Sequence, residues 1–224
     1  MTLSELIKQF RVDAEDRVGP DYLADSTMVK YWINEAEEEA CIRKRLLREV
    51  TNADLCTIAV TTVLGSVYAL HSAVAWVTRA DFTPNGETDP INLTLVDAVY
   101  MDRLRPYWRT TTEQPQFLIV DDTSVQLGCI PETDGALQLE VYRVPLDKIE
   151  DRTSESPEIG RAHHRHLIKW ALHRNYARPD SEVYDPNRSE RALAEFDMYF
   201  GIRPDADMRR GQEGNRPQNN VAYY

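Results

Sequence analysis

The chain has 224 residues, 42% of them hydrophobic and 28% charged. That is enough apolar material to bury a core, which excludes wholesale disorder and leaves room for one sizeable domain or two small ones. Its 37 Asp and Glu outnumber 26 Lys and Arg, a formal charge of −11, and no dense basic run offers the face that gripping a phosphate backbone requires.

Cys41, Cys56 and Cys129 are odd in number and widely spaced, so neither a zinc-binding pair nor a disulfide framework is expected. The first ten residues carry Glu5 and Lys8 and lack the apolar core of a secretion signal. Residues 55–78 contain no Asp, Glu, Lys or Arg and are long enough to span a bilayer. They also hold Thr57, Thr61, Thr62, Gly65, Ser66, His71, Ser72 and Thr78. Their β-branched residues come in short bursts, so the reading is consecutive strands and no membrane contact.

In chain order, Thr2-x-x-Glu5 is a capping box for a helix with Leu3, Leu6, Ile7 and Phe10 on one stripe, stopped by Gly19-Pro20. Ser26 is the expected cap of a second helix, with Val29, Trp32, Ile33, Ala36, Ala40 and Leu47 at helical spacing. Its acids (Glu35, Glu37, Glu38, Glu39) precede its bases (Arg43, Lys44, Arg45, Arg48), an order that suits the helix dipole. The glutamate run reads as a solvated face rather than a metal site. From Asn52 the period changes to two, and strands are expected at 57–61, 67–70 and 73–78, with a turn at Thr83-Pro84-Asn85-Gly86. Residues 96–104 suggest a short helix closed by Pro106, with Tyr107 and Trp108 expected in the core. Strands follow at 116–121 and 124–130, and Thr133-Asp134-Gly135 reads as a hairpin turn into 136–144. Ser156-Pro157-Glu158 opens a helix to about 177 with Leu167, Trp170, Ala171 and Arg174 on its buried side. A last helix at about 187–200 carries Ala192, Leu193, Phe196, Tyr199 and Phe200, and Gly201 ends it.

Chemistry-bearing patterns are sparse. His163, His164 and His166 lie together with His173 further along, but no His-Glu-x-x-His pattern or nameable facial triad accompanies them. Histidines satisfied within the fold are the better reading, and a metal-dependent enzyme on His163 and His166 is the rival one. The Gly-containing turns Leu64-Gly65-Ser66 and Leu127-Gly128-Cys129 read as strand ends, not as nucleophile elbows, and the glycines are too scattered for a phosphate loop. No catalytic residue, metal or cofactor is expected.

Residues 202–224 differ from the rest. Pro204, Gly211, Gly214 and Pro217 break any pattern, and four Arg against three acids make this stretch formally +1. It reads as an arm that folds onto a partner, with Arg209, Arg210 and Arg216 supplying charge and Val221, Tyr223 and Tyr224 anchoring in a groove or at a sheet edge. A frayed terminus is the plain alternative.

Three stretches resemble the head–tail adaptor (connector) proteins of tailed bacteriophages. The first is Asp21-Tyr22-Leu23-Ala24-Asp25-Ser26 leading into Val29-x-Tyr31-Trp32-Ile33-Asn34-Glu35-Ala36. The second comprises Arg105-Pro106-Tyr107-Trp108, Pro115-Gln116-Phe117-Leu118, Ile130-Pro131 and Leu139-Glu140-Val141-Tyr142-Arg143-Val144-Pro145-Leu146. The third comprises Pro157-Glu158-Ile159, His164, Leu167-Ile168-x-Trp170-Ala171-Leu172, Tyr176, Asp180 and Phe196-x-x-Tyr199-Phe200-Gly201.

The resemblance implies an α+β fold, an antiparallel helix bundle with an inserted β-sheet or β-sandwich domain and an extended C-terminal arm. The corresponding division is 1–51 and 151–201 for the bundle, 52–150 for the β insertion and 202–224 for the arm. Trp32, Ile33, Leu167, Trp170 and Phe196 would hold the bundle. It also implies a non-enzymatic virion protein, made in the bacterial host cytoplasm. About twelve copies would form a ring in the head–tail neck, joining the portal protein to a tail tube or tail nozzle protein. DNA would pass through the ring without specific binding, as an acidic wall favours. The arm would dock on the portal. The alternative is a tail-side ring, such as a tail terminator or completion protein.

Overall fold

The computed structural model describes residues 1–16, 19, 22–179 and 181–204. In chain order its elements are α1 (Leu3–Asp13), α2 (Ser26–Lys44), β1 (Leu47–Glu49), α3 (Ala53–Cys56), β2 (Thr57–Val60), β3 (Val67–Ala69), β4 (Val74–Pro84) and β5 (Ile91–Val96). Then come α4 (Ala98–Leu104), β6 (Thr112–Glu113), β7 (Phe117–Val120), β8 (Ser124–Leu127), β9 (Ile130–Pro131), β10 (Gly135–Arg143), a 3-10 turn (Ile149–Asp151), α5 (His164–Tyr176) and α6 (Pro186–Phe200). The chain is α+β and divides into two compact units, Met1–Leu47 with Arg143–Pro204, and Arg48–Tyr142.

The first unit is helical. α5 packs against α6, α2 and α1, and the stripes expected from the sequence form its core: Leu3, Leu6, Phe10, Val29, Trp32, Ile33, Ile168 and Ala171 in one cluster, Ala36, Ala40, Leu167, Phe196 and Phe200 in another. Thr2 and Glu5 close the expected capping box, with Thr2 N–H donating to Glu5 (3.0 Å) and Glu5 N–H donating to Thr2 Oγ1 (3.3 Å). α1 stops at Asp13, well before Gly19, because Glu15 turns left-handed at φ 62°. Asp25, not Ser26, caps α2, its carboxylate accepting from Thr27 N–H. Arg45 ends that helix at φ 52°, so Leu47 lies in β1 and not on the helical stripe. α5 starts at His164 rather than Pro157, since the Glu158 and Ile159 N–H groups are drawn to a side chain on α2 instead of opening a helix. Arg174, expected on its buried side, is exposed.

The second unit is a curled sheet with strand order β1-β10-β4-β5-β7-β8-β3, β2 also pairing with β10, and β6-β9 forming a separate pair. The curl runs along β5. Ile91–Leu93 pair antiparallel with β4, while Thr94–Val96 pair parallel with β7, so one strand passes from one half of the sheet to the other. β5 lies where no strand is expected, and the following helix begins at Ala98 rather than Val96; Asp97 is its cap, accepting from Tyr100 N–H. Strand β4 runs past Thr78 through Thr83 and Pro84, so the turn lies at Asn85 and Gly86. The expected strand 124–130 is broken at Gly128, where a Cβ would lie 2.8 Å from Phe117 Cβ and 3.0 Å from Met101 Cε. Thr133-Asp134-Gly135 is not a hairpin turn. β9 pairs with β6, whereas β10 pairs with β1, β2 and β4. Trp108 is buried, its Nε1 donating to Asp102 (2.9 Å), but Tyr107 is 80% exposed and not core. Among the described residues, no helix is long and apolar enough to cross a membrane.

Candidate interaction surfaces

Arg209, Arg210, Arg216, Val221, Tyr223 and Tyr224 lie outside the described residues. The residues up to Pro204 that precede them are described. α6 ends at Gly201 (φ 89°), where no L side chain is comfortable, and its terminal carbonyls are gripped by the last turn of α2. Lys44 Nζ donates to Tyr199 O (3.0 Å) and Arg43 to Gly201 O (3.1 Å), while Arg43 also pairs with Asp197 and with Glu39 (3.1 Å). Arg203 closes the other side of Glu39 at 2.9 Å. Cations thus meet the negative end of a helix, and the end of α6 is clamped.

The glutamate run on α2 corrects the expectation of a solvated face. Glu37 is 1% exposed. Its Oε1 accepts from the N–H groups of Glu158 (2.5 Å) and Ile159 (3.3 Å), and its carboxylate pairs with Arg152 (2.9 Å). Glu39 is also buried in the clamp just described. Glu35 accepts from Trp170 Nε1 (3.0 Å) and pairs with Arg174 (3.1 Å). Glu38 alone faces solvent, its carboxyl held above the usual range by partial burial and by Glu35, Glu39 and Glu37. Asn34 joins the set, accepting from Ile149 N–H (2.9 Å) and donating to Glu150 (2.9 Å). One face of α2 therefore holds the segment that leads into α5. The sequence carried a signal for this: Glu37 falls one helical turn after Ile33, on the apolar stripe.

The histidines do separate jobs, and among the described residues no group of three or more His, Cys, Asp or Glu is placed to hold a metal ion. His166 stacks flat on Tyr199, ring centroids 3.4 Å apart, and Lys44 Nζ lies 4.4 Å from the same ring. His163 Nδ1 is 3.0 Å from Tyr199 OH. His164 is buried, with Nε2 donating to Ile159 O (2.9 Å). His173 Nδ1 is 2.9 Å from Ser189 Oγ. Burial, reinforced by nearby cations, holds His163, His166 and His173 below the ordinary imidazole value of 6.5. The unfolded chain then binds protons more readily than the folded one, so stability falls as pH drops through about 6.5. Thermal melting across that window is expected to show a falling melting temperature, with a smaller slope in His166→Phe, which keeps the stack on Tyr199. A slope unchanged by the substitution would remove His166 from this account.

Charge is distributed unevenly. Residues 48–142 hold thirteen acids against five Arg and no Lys, a formal −8 of the total −11. Four of those Arg are engaged by acids of the same unit: Arg48 with Glu140, Arg79 with Asp81, Arg105 with Glu113 and Arg109 with Asp102. The three cysteines are buried and none is in a disulfide, and burial pushes the Cys129 thiol up to about 11, so this nucleophile is kept inert.

The described geometry offers exposed surfaces and a clamped end to α6. A family model described as SU10 adaptor protein matches residues 1–220. No curated protein matches the chain.

Proposed function

The chain belongs to the SU10 adaptor protein family, and on that premise we propose that this phage adaptor is the ring-forming piece that joins the portal to the tail. A phage adaptor is a structural virion component that works by contact with other head or tail proteins. The match over residues 1–220 carries the reading.

The finer reading has three parts. The long helices act as an antiparallel bundle and the curled sheet as its inserted domain, with residues 202–224 as a docking arm for the portal. About twelve copies close a ring that continues the DNA channel. The acidic unit, whose arginines are engaged by its own carboxylates, supports a channel wall that repels phosphate and lets DNA slide. The clamp of Arg43, Lys44, Glu39 and Arg203 supports a defined take-off point for the arm.

The test is the mass of the purified chain in solution, alone and mixed with the portal ring of the same phage. Joining at about one copy per portal subunit is the expected result. Indifference to the portal together with binding to tail-tube protein would replace the reading with the tail-side ring.

A further inference from the structure

The loop between β2 and β3 places two aliphatic side chains in water. Val63 is 93% exposed and Leu64 67% exposed, yet the loop that carries them is tightly braced. Leu64 N–H donates to Thr61 O (3.2 Å), Thr62 N–H to Asp134 Oδ1 (2.7 Å), and Leu127 N–H to Ser66 O (2.8 Å). Tyr68 OH, from beneath, reaches the carbonyls of Gly65 (2.7 Å) and Thr61 (3.1 Å). Gly65 takes φ 78°, which lets the chain turn back into β3. An apolar tip held this firmly loses little conformational freedom when it binds.

Its surroundings have one sign. Asp134 joins this loop to the next, since its carbonyl accepts from Asn85 N–H (2.8 Å) while its carboxylate holds Thr62. The exposed acids Glu87, Asp89, Glu132 and Asp134 lie on the segments so joined. There is no Lys or Arg in residues 49–78, 80–102 or 110–142. The tip is an apolar knob in an acidic collar, which suits neither nucleic acid nor an anionic lipid surface.

The helical unit carries the complement. Residues 159–179 contain Arg161, Arg165, Lys169, Arg174 and Arg178 and no acid. Arg174 is engaged by Glu35 and Lys169 by Glu195. Arg161 and Arg165 are exposed and form no ion pair among the described residues. Arg191 of α6, 3.4 Å from Glu195, extends the same basic field. Lys169 and Arg191 hold the Glu195 carboxyl below its usual range, as expected in a locally positive field. Glu190 on α6 is exposed as well.

We propose that the Val63–Leu64 tip of one copy docks on the Arg161–Arg165 face of a second copy of this chain. Two different faces then meet head to tail, the kind of contact that closes into a ring when the rotation allows. The proposal rests on the ring reading above and names the surfaces that make the ring.

Disulfide trapping between copies tests it. Leu64→Cys and Arg165→Cys full-length chains, of different tagged size, are mixed and treated with diamide; Cys41, Cys56 and Cys129 are buried and stay out of the reaction. The expected result is a mixed dimer at roughly ten-fold or greater yield over a Tyr107→Cys and Arg165→Cys mixture, falling as salt is added. Tyr107 is the control because it is exposed on the same unit and is not part of the tip. A yield equal to the control, or Leu64→Cys pairing mainly with itself, would overturn the contact. If the unmodified chain still joins the portal in that case, the ring reading stands and only this interface is wrong. Trapping by a chain that ignores the portal would instead support the contact and sink the portal role.

Discussion

Replacing Glu37 with alanine is expected to destabilise the helical unit by about 3–5 kcal/mol, the largest effect of any single substitution considered for this chain. The carboxylate is 1% exposed and holds Arg152 and two backbone N–H groups, those of Glu158 and Ile159. Truncating it removes the counter-charge of the Arg152 guanidinium, which keeps only the Ser156 and Asp147 carbonyls, and takes the acceptor from the Glu158 and Ile159 amides. The segment leading into α5 would lose its tether to α2, although Asn34 still holds Ile149. The measurement is thermal and denaturant unfolding, where the melting temperature should fall by roughly 10 °C or more. Glu37→Gln separates the two roles. It keeps an acceptor for the N–H groups but removes the charge that faces Arg152, so the loss should be about half as large. The alanine variant melting with the wild type would mean that this carboxylate is not buried as the structure has it.

That residue also shows what could be read from the sequence and what could not. The stripe Val29, Trp32, Ile33, Ala36 and Ala40 was legible because burial in a helix repeats every 3.6 residues, and these side chains are buried. In the sequence Glu37 reads as part of a solvated run because its partners, Arg152 and the Glu158 amide, stand more than a hundred residues later. The same distance in sequence hid the start of α5. Pro157-Glu158 has the chemistry of a helix start, but the Glu158 carboxylate is taken by Arg143 and its N–H by Glu37. Strand period was readable for β7, β8 and β10, whereas pairing was not. β5 serves two neighbours in two directions, and nothing within 91–96 states that. The exposed Val63 and Leu64 were visible only as members of an uncharged stretch, since exposure depends on where the loop is braced. The contact residues proposed for the tail rest on family role, because composition singles out Tyr223 and Tyr224 without saying what they meet.

A chain ending at Pro204 is expected to fold and melt within a few degrees of the full-length protein while losing its attachment to the portal. The two helical core clusters and the clamp at the end of α6 are all built from residues up to Arg203. The truncated chain therefore retains the Arg203–Glu39 pair and the cations on the α6 carbonyls. What it lacks is Arg209, Arg210, Arg216 and the terminal Val221, Tyr223 and Tyr224, the groups proposed to meet the portal. Aromatic anchors and arginines of this kind often dominate an interface, and removing several at once should weaken binding at least a hundred-fold, about 3 kcal/mol. Co-sedimentation with purified portal rings measures the binding, and circular dichroism with thermal melting checks the fold. Tyr223→Ala/Tyr224→Ala in the full-length chain narrows the effect to the aromatic end. Should the truncated chain bind portal as well as the full chain does, the arm has no docking role and the contact must come from the described units. Should it unfold, residues 205–224 belong to the body of the protein, and the arm was wrongly drawn as separate.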